Sequence, residues 1–282
     1  VLSLARPVGR SVLMAHMFIF GLGYTAQRIA AQLRQAGWRI DATGRAGNID
    51  FDDFERVRAT LTRCTHILSS VPPETETGGD DVLMTHGGML AAGGKWLGYL
   101  SSTGVYGDTG GAWVDESAPV GTGRRTARAE ADSRWLALGA RVFRLPGIYG
   151  PGRSALDRVR AGAAQRIDLP GQVFSRIHVD DIASGVIAAL NARPGAYNLA
   201  DDLPCSQNAV IDEACRLLGR LPPPLQSLEE ANLSPMARAF YAENRRVANG
   251  RAKRILGWRP RHPTYVEGLA AVLAAEADEE TE

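Results

Sequence analysis

The sequence predicts an α/β fold, a doubly wound parallel sheet followed by a smaller C-terminal lobe. Three observations carry this prediction. Short apolar runs alternate with stretches of helical periodicity from residue 17 to residue 145. A glycine-rich turn, Gly21-Leu22-Gly23-Tyr24-Thr25-Ala26, closes the first apolar run and opens the first helical one. Beyond Tyr149 the alternation breaks up, and Gly and Pro punctuate the chain at Gly150-Pro151-Gly152, Pro170-Gly171, Pro194-Gly195 and Pro222-Pro223-Pro224.

In chain order, residues 17–20 are the first strand, and Ala26, Ile29, Ala30 and Leu33 then recur at helical spacing until Gly37 ends the helix. Strands follow at 38–43, 65–71, 96–101 and 140–145, separated by helices at 53–61, 80–92 and 124–138. Strands joined by helical crossovers pair in parallel, so the reading is a Rossmann-type doubly wound sheet, to whose edge segments such as 176–179 and 197–199 return. The chain thus divides into a loose extension at 1–16 ahead of Met17 as a natural start, a dinucleotide-binding core at 17–150, a smaller substrate lobe at 151–275 with segments returning to the core, and a solvated acidic tail at 276–282.

Composition narrows the function. At 282 residues, 45% hydrophobic and 22% charged, the chain has globular averages. A net charge of +1 supplies no global field for nucleic acid or an anionic membrane, so neither is expected as a partner. No run approaches the roughly eighteen apolar residues that span a bilayer. Cys64, Cys205 and Cys215 lack metal-ligand spacing and cannot all pair, which fits a reducing cytoplasm and implies no metal.

In the glycine-rich turn the first Gly permits the tight bend, the second lets a pyrophosphate approach the backbone, and the small Ala26 lets helix pack on strand. Phosphate would sit at the N-terminus of the helix, with Tyr24 and Thr25 in its first turn. The pattern alone arises about once by chance in a chain with 31 Gly, and its place between strand and helix gives it meaning. At the end of the second strand Thr43-Gly44-Arg45 offers Arg45 as a planar cation for the 2′-phosphate of NADP. Asp41 has the sequence distance of an NAD ribose ligand but lies inside the strand, so NADP is preferred and NAD is the second choice.

Six motifs in one order give the chain a resemblance to the extended short-chain dehydrogenase/reductases, in the NAD-dependent epimerase/dehydratase family and nearest its atypical members. They are Gly21-Leu22-Gly23-Tyr24, Ser101-Ser102-Thr103-Gly104-Val105-Tyr106-Gly107, Arg144-Leu145-Pro146-Gly147-Ile148-Tyr149-Gly150-Pro151-Gly152, Arg176-Ile177-His178-Val179-Asp180-Asp181, Tyr197-Asn198-Leu199-Ala200 and Leu256-Gly257-Trp258-Arg259-Pro260. The resemblance implies that Ser102 is the catalytic hydroxyl, with Tyr106 as its companion in the cleft. It implies further cofactor contacts at Ser70, Val71, Pro146 and Ile148, and substrate contacts at Thr103, Tyr149, Arg176 and His178. Read from the residues alone, Ser102 and Asp180 serve equally well as backbone caps, and His178 as a structural histidine with no metal-spaced partner.

One part of the family pattern is missing. Its acid/base is a Tyr with a Lys four residues on, and no Tyr here has such a Lys; the only lysines are Lys95 and Lys253. Counting back from Glu130, the two places fall on Thr122 and Thr126. A threonine hydroxyl is far too weak an acid for the task, and Arg124, Arg125 and Arg128 hold charge without exchanging protons near neutrality. The sequence therefore supports two functions: an NADP-dependent oxidoreductase or epimerase on a small hydroxyl, carbonyl or nucleotide-sugar substrate, or a cofactor-binding or redox-sensing protein that has lost hydride chemistry. The charge on the 124–138 helix, one of the two helices through which the family dimerises, implies a monomer or weak homodimer.

Overall fold

Alternate residues of the first strand face opposite ways, and each face meets its own core. In β1 (His16–Phe20), Met17 and Ile19 pack on one side of the sheet while Phe18 and Phe20 pack on the other. A strand buried on both faces reads as a continuous apolar run, which is why the sequence shows one. The structure, a computed structural model, describes residues 15–74, 78–123 and 126–279.

The elements of the core run α1 (Tyr24–Gln35), β2 (Arg39–Ala42), α2 (Phe54–Arg63), β3 (His66–Ser69), α3 (Asp81–Ala91), β4 (Trp96–Ser102), β5 (Trp113–Val114), α4 (Thr126–Ala137) and β6 (Arg141–Leu145). The lobe adds β7 (Gly147–Tyr149), α5 (Ala155–Arg160), β8 (Arg166–Ile167), β9 (Arg176–His178), α6 (Val179–Ala188), β10 (Gly195–Asn198), α7 (Gln207–Leu217), β11 (Leu225–Gln226), α8 (Pro235–Tyr241), β12 (Arg246–Val247), α9 (Gly250–Leu256) and α10 (Tyr265–Glu279). The helix starts follow the side-chain chemistry. Asp53 caps α2 by accepting the Arg56 N–H at 3.1 Å, and Asp80 caps α3 by accepting the Leu83 N–H at 2.9 Å.

The six-stranded sheet has the order β2-β1-β3-β4-β6-β10, with every neighbouring pair parallel. Helices α1 and α6 cover one face, burying Ile29, Leu33, Ile182 and Val186. Helices α2, α3 and α4 cover the other with Val57, Leu61, Val82, Leu83 and Trp135. The chain leaves β1 for β2 on one side and crosses to β3 on the other, so the switch point lies at the carboxyl ends of β1 and β3, where sheets of this type bind ligands. A separate core in the lobe joins α5, α7 and α10 through Leu156, Ile211 and Leu269.

The segment 197–199 contributes to β10, which returns to the sheet edge beside β6 as expected. The segment 176–179 does not, because β9 pairs with β7 outside the sheet. Two boundaries also move. His16, expected in a loose extension, opens β1 and is buried with its Nε2 2.9 Å from the Asp41 carboxylate. Residues 276–279, expected in the tail, continue α10, where Glu276 pairs with Arg160 at 2.7 Å. The rest of both segments, residues 1–14 and 280–282, lies outside the described residues.

Candidate active site

The nucleotide end is made of backbone. Gly21 holds φ at +81°, and a Cβ there would stand 2.9 Å from Val71 Cγ2 at the exit of β3. The Gly21 N–H donates to Thr43 Oγ1 at 3.1 Å and the Leu22 N–H to the Thr43 carbonyl at 2.8 Å, tying the turn to the end of β2. Gly23 is the N-cap of α1 with no side-chain cap, and a Cβ on it would meet nothing within 4 Å. A free helix N-terminus beside an open glycine is a cradle for phosphate.

Around this cradle the expected contacts divide. Thr25 and Ser70 line the cleft, as do Pro146 and Ile148 at its far end. Ala26 is fully buried against the sheet, so it serves packing alone. Tyr24 is a strut: its hydroxyl donates to the Pro151 carbonyl at 3.1 Å, and its ring lies 5.7 Å beneath the Arg153 guanidinium. Gly44, at φ +96°, abuts the Leu22 nitrogen, so the exposed Arg45 follows directly beside the turn. Asp41 is buried and turned to its own neighbours, its carboxylate accepting from Asn48 Nδ2 at 2.7 Å, His16 Nε2 at 2.9 Å and Arg39 Nε at 3.0 Å. Burial pushes its pKa up, but these donors outweigh burial and hold it below the usual carboxylate range.

The cleft continues over the carboxyl end of β4, with a volume of about 520 Å³. Ser102 and Thr103 line it, and the Ser102 hydroxyl accepts the Gly104 N–H at 3.1 Å, so the cap and the cleft residue are the same group. Arg128 of α4 also lines it, reaching the Tyr99 hydroxyl at 3.0 Å and the Leu100 carbonyl at 3.4 Å. Glu243 and Arg245 face it from the lobe, paired at 2.8 Å. Sequence reading missed both, and nothing near them in the chain marks them out.

Tyr106 is outside the cleft. Its hydroxyl donates to Asn198 Oδ1 at 2.7 Å and accepts from Arg144 Nη1 at 3.0 Å, and the residue is 2% exposed. Arg144 in turn grips the fully buried Asp132 through two nitrogens, at 3.0 and 2.7 Å, and Asp132 also accepts from Ser101 Oγ at 2.7 Å. This network is a satisfied polar floor beneath the site. Burial raises the Tyr106 pKa against the opposing pull of Arg144. Tyr149 lines an adjoining cavity, where its hydroxyl donates to the Thr264 carbonyl at 3.5 Å; burial, then Asp201 and Asp181, push its pKa far up.

Thr122 and Thr126 are not at the cleft either. Thr122 donates to the Tyr106 carbonyl at 2.9 Å from an exposed loop, and Thr126 is the exposed first residue of α4. The residue that α4 delivers to the cleft is Arg128, and Arg124, four residues earlier, lies outside the described residues with Arg125. Arg176 borders the adjoining cavity, but its guanidinium is taken up by the Phe174 and Cys205 carbonyls and by Gln207 Oε1, at 2.9, 3.2 and 2.9 Å. His178 caps α6, accepting the Asp180 N–H at 3.3 Å, and its ring centroid lies 4.1 Å from that of His262. The partner its sequence neighbourhood lacked is thus supplied from the C-terminal loop. His262 is held by Asp181, which accepts its Nδ1 at 2.9 Å and the Arg261 and His262 N–H groups at 2.6 and 3.1 Å.

No protein-family model matches the chain. A solved structure of a conserved protein of unknown function from Silicibacter pomeroyi matches at 42% identity and TM-score 0.83, covering 93% of this chain and 99% of that one. The two chains belong to one family. A human epimerase family protein solved with NADPH matches at 18% identity and TM-score 0.72, covering 92% and 99% of the two chains. A dTDP-glucose 4,6-dehydratase from Bacillus anthracis, solved with NAD, matches at 17% and 0.73, covering 94% and 98%. The chain shares the fold of these two proteins, whose structures hold NADPH and NAD. A curated Streptomyces protein, 3-diazoavenalumate denitrifying reductase, is 32% identical over 178 residues, which span 55% of this chain and 58% of that relative. Among the described residues that line the cleft there is no tyrosine, histidine, cysteine or lysine.

Proposed function

We propose that the chain is an NADP(H)-dependent reductase of a small substrate that needs hydride but no proton delivered ahead of it. The observation that carries this reading is a cleft with a glycine-turn cradle at one end, whose only ionisable side chains among the described residues are Arg128, Arg153, Arg245 and Glu243. The cradle fits the cofactor: the open Gly23 and the free N-terminus of α1 would receive a pyrophosphate, Arg45 would pair with a 2′-phosphate, and Pro146 and Ile148 would border the nicotinamide. When bound, the nicotinamide supplies hydride. Ser102 orients the acceptor through its hydroxyl, and Arg128 contributes fixed positive charge beside it. Arginine holds its proton at neutrality, and Glu243 is held by Arg245, so epimerisation and dehydration, which need a base, are disfavoured.

The Streptomyces relative supports the reductase class, since its name describes the reduction of a diazo compound with loss of nitrogen. An electrophile of that sort takes up hydride without prior protonation. The test is NADPH consumption by the full chain, corrected for the uncatalysed rate, with 4-carboxybenzenediazonium, benzaldehyde and UDP-glucose. Consumption with the diazonium alone is expected; rapid turnover of the aldehyde or the sugar nucleotide contradicts the reading. A second reading, a cofactor-binding protein without turnover, is favoured by the Ser102 hydroxyl being engaged with Gly104. Tight NADPH binding with no consumption of any substrate would select it. The chain acts as a monomer or weak homodimer, since α4 carries exposed Glu130 and Arg134; light scattering that finds a tight dimer would refute this.

A further inference from the structure

A second cavity, of about 360 Å³, opens beside the cleft among α5, α7 and α10. Phe174 and Phe240 stack with centroids 4.4 Å apart and planes 9° apart, and this pair walls both cavities. The rest of the lining is largely apolar, with Ala155, Val210 and Leu269 opposite the aromatic wall. Two cations stand at the margin. Arg153 and Arg158 are exposed, and neither forms an ion pair with a carboxylate among the described residues; Arg158 spends one N–H on the Ala163 carbonyl at 3.3 Å, and Arg153 lies over the Tyr24 ring. The one carboxylate among the described lining residues, Asp157, turns its Oδ2 to Ser154, accepting the N–H and hydroxyl at 2.6 and 2.8 Å. An apolar slot with an aromatic wall and two guanidinium groups that no carboxylate neutralises selects its ligand by shape and charge together.

We infer that this cavity binds a flat organic anion of one or two rings, its carboxylate at Arg153 and Arg158 and its ring system against Phe174 and Phe240. The inference rests on the reductase reading, in that the bound molecule's reactive end lies at the wall shared with the cleft. It narrows the substrate class, because a cavity at the lower end of small-molecule sites has no room for a nucleotide joined to a hexose. Arginine suits the task, since a planar fork pairs with a planar carboxylate and also lies flat on aromatic faces.

The experiment is calorimetric titration of the NADPH-saturated full chain with 4-coumarate, its methyl ester and UDP-glucose. The acid is expected to bind, the ester about tenfold or more weaker, and the sugar nucleotide not to displace the acid. Arg158→Gln should weaken the acid about tenfold and leave the ester unchanged, Arg153→Gln should do the same, and Phe240→Ala should weaken both ligands. Equal affinity for acid and ester, or displacement of the acid by UDP-glucose, overturns the inference. A separate NADPH titration keeps the two claims apart: coumarate binding without any NADPH binding defeats the reductase reading alone, and NADPH binding without coumarate binding defeats this one alone.

Discussion

The two ends of the cleft are built on different principles. At the glycine-turn end the groups turned to the cleft under the proposed function are backbone amides at the start of α1, placed by Gly21 and Gly23 and fastened to β2 through Thr43. At the β4 end the recognisable side chains are present but employed elsewhere, with Tyr106 bound to Asn198 and Arg144, and Ser101 bound to Asp132. A backbone site survives wherever its turn survives. A side-chain site is lost as soon as its hydroxyls are drawn into the packing, even while the motif stays in the sequence. Cofactor binding and proton transfer are therefore separable in this fold, and each can be attacked alone.

The largest effect should come from the floor of the β4 end. Asp132→Asn leaves Arg144 buried without its counter-charge, a class of change that costs about 3 to 5 kcal/mol. A fall in melting temperature of roughly 10 °C is expected by calorimetry. An unchanged melting temperature would show that the network is not what immobilises Tyr106.

The turn is the next target. Gly21→Val forces a branched residue to φ +81° and drives its side chain into Val71, which should lower NADPH affinity about 100-fold in a fluorescence titration while the far-ultraviolet spectrum holds. Arg45→Ala tests the same end more gently. Loss of a charge-assisted contact worth about 1.5 to 3 kcal/mol should erase most of a preference for NADPH over NADH. Equal affinities in the unmodified protein would remove Arg45 from the site.

A smaller effect depends on pH. Asp201, 2% exposed at the exit of β10, has its pKa pushed up to about 7 by burial, against the pull of Arg176. A carboxyl whose folded pKa lies above its unfolded value contributes stability below pH ~4 and loses it as pH rises through about 7. Asp201→Asn should therefore raise the melting temperature by about 5 °C at pH 8 and change little at pH 4. His178 has the opposite sign: burial, then His262, depress its pKa to about 4, so its contribution is present above pH ~6.5 and fades on acidification toward 4.

The division between the two ends also separates what the sequence made legible from what it did not. Strand, glycine turn and helix are local, so residues 17–37 could be read directly, as could the alternation of the first five sheet strands with helices. Ser102 was open to two readings, and both hold in one residue because capping Gly104 leaves it on the cleft wall. The fate of Tyr106 was hidden, since it is decided by Arg144 and Asn198, 38 and 92 residues away. Helix phase defeated the count back from Glu130: α4 turns Arg128, not Thr126, into the cleft. Glu243 and Arg245 reach the site from the lobe, and His262 reaches His178 from the C-terminal loop; only the folded topology brings such pairs together.

The central claim is that no phenol of this chain delivers a proton during turnover, and Tyr149, which lines the cavity beside the cleft, is the residue best placed to break it. The direct measurement is the rate of NADPH oxidation with 4-carboxybenzenediazonium by Tyr149→Phe beside the unmodified protein. Rates within about threefold of each other are expected, because Phe keeps the apolar wall and gives up only the long hydrogen bond to the Thr264 carbonyl. A fall of about 100-fold or more, the usual worth of a general acid, with NADPH binding intact, would contradict it and identify Tyr149 as the missing acid.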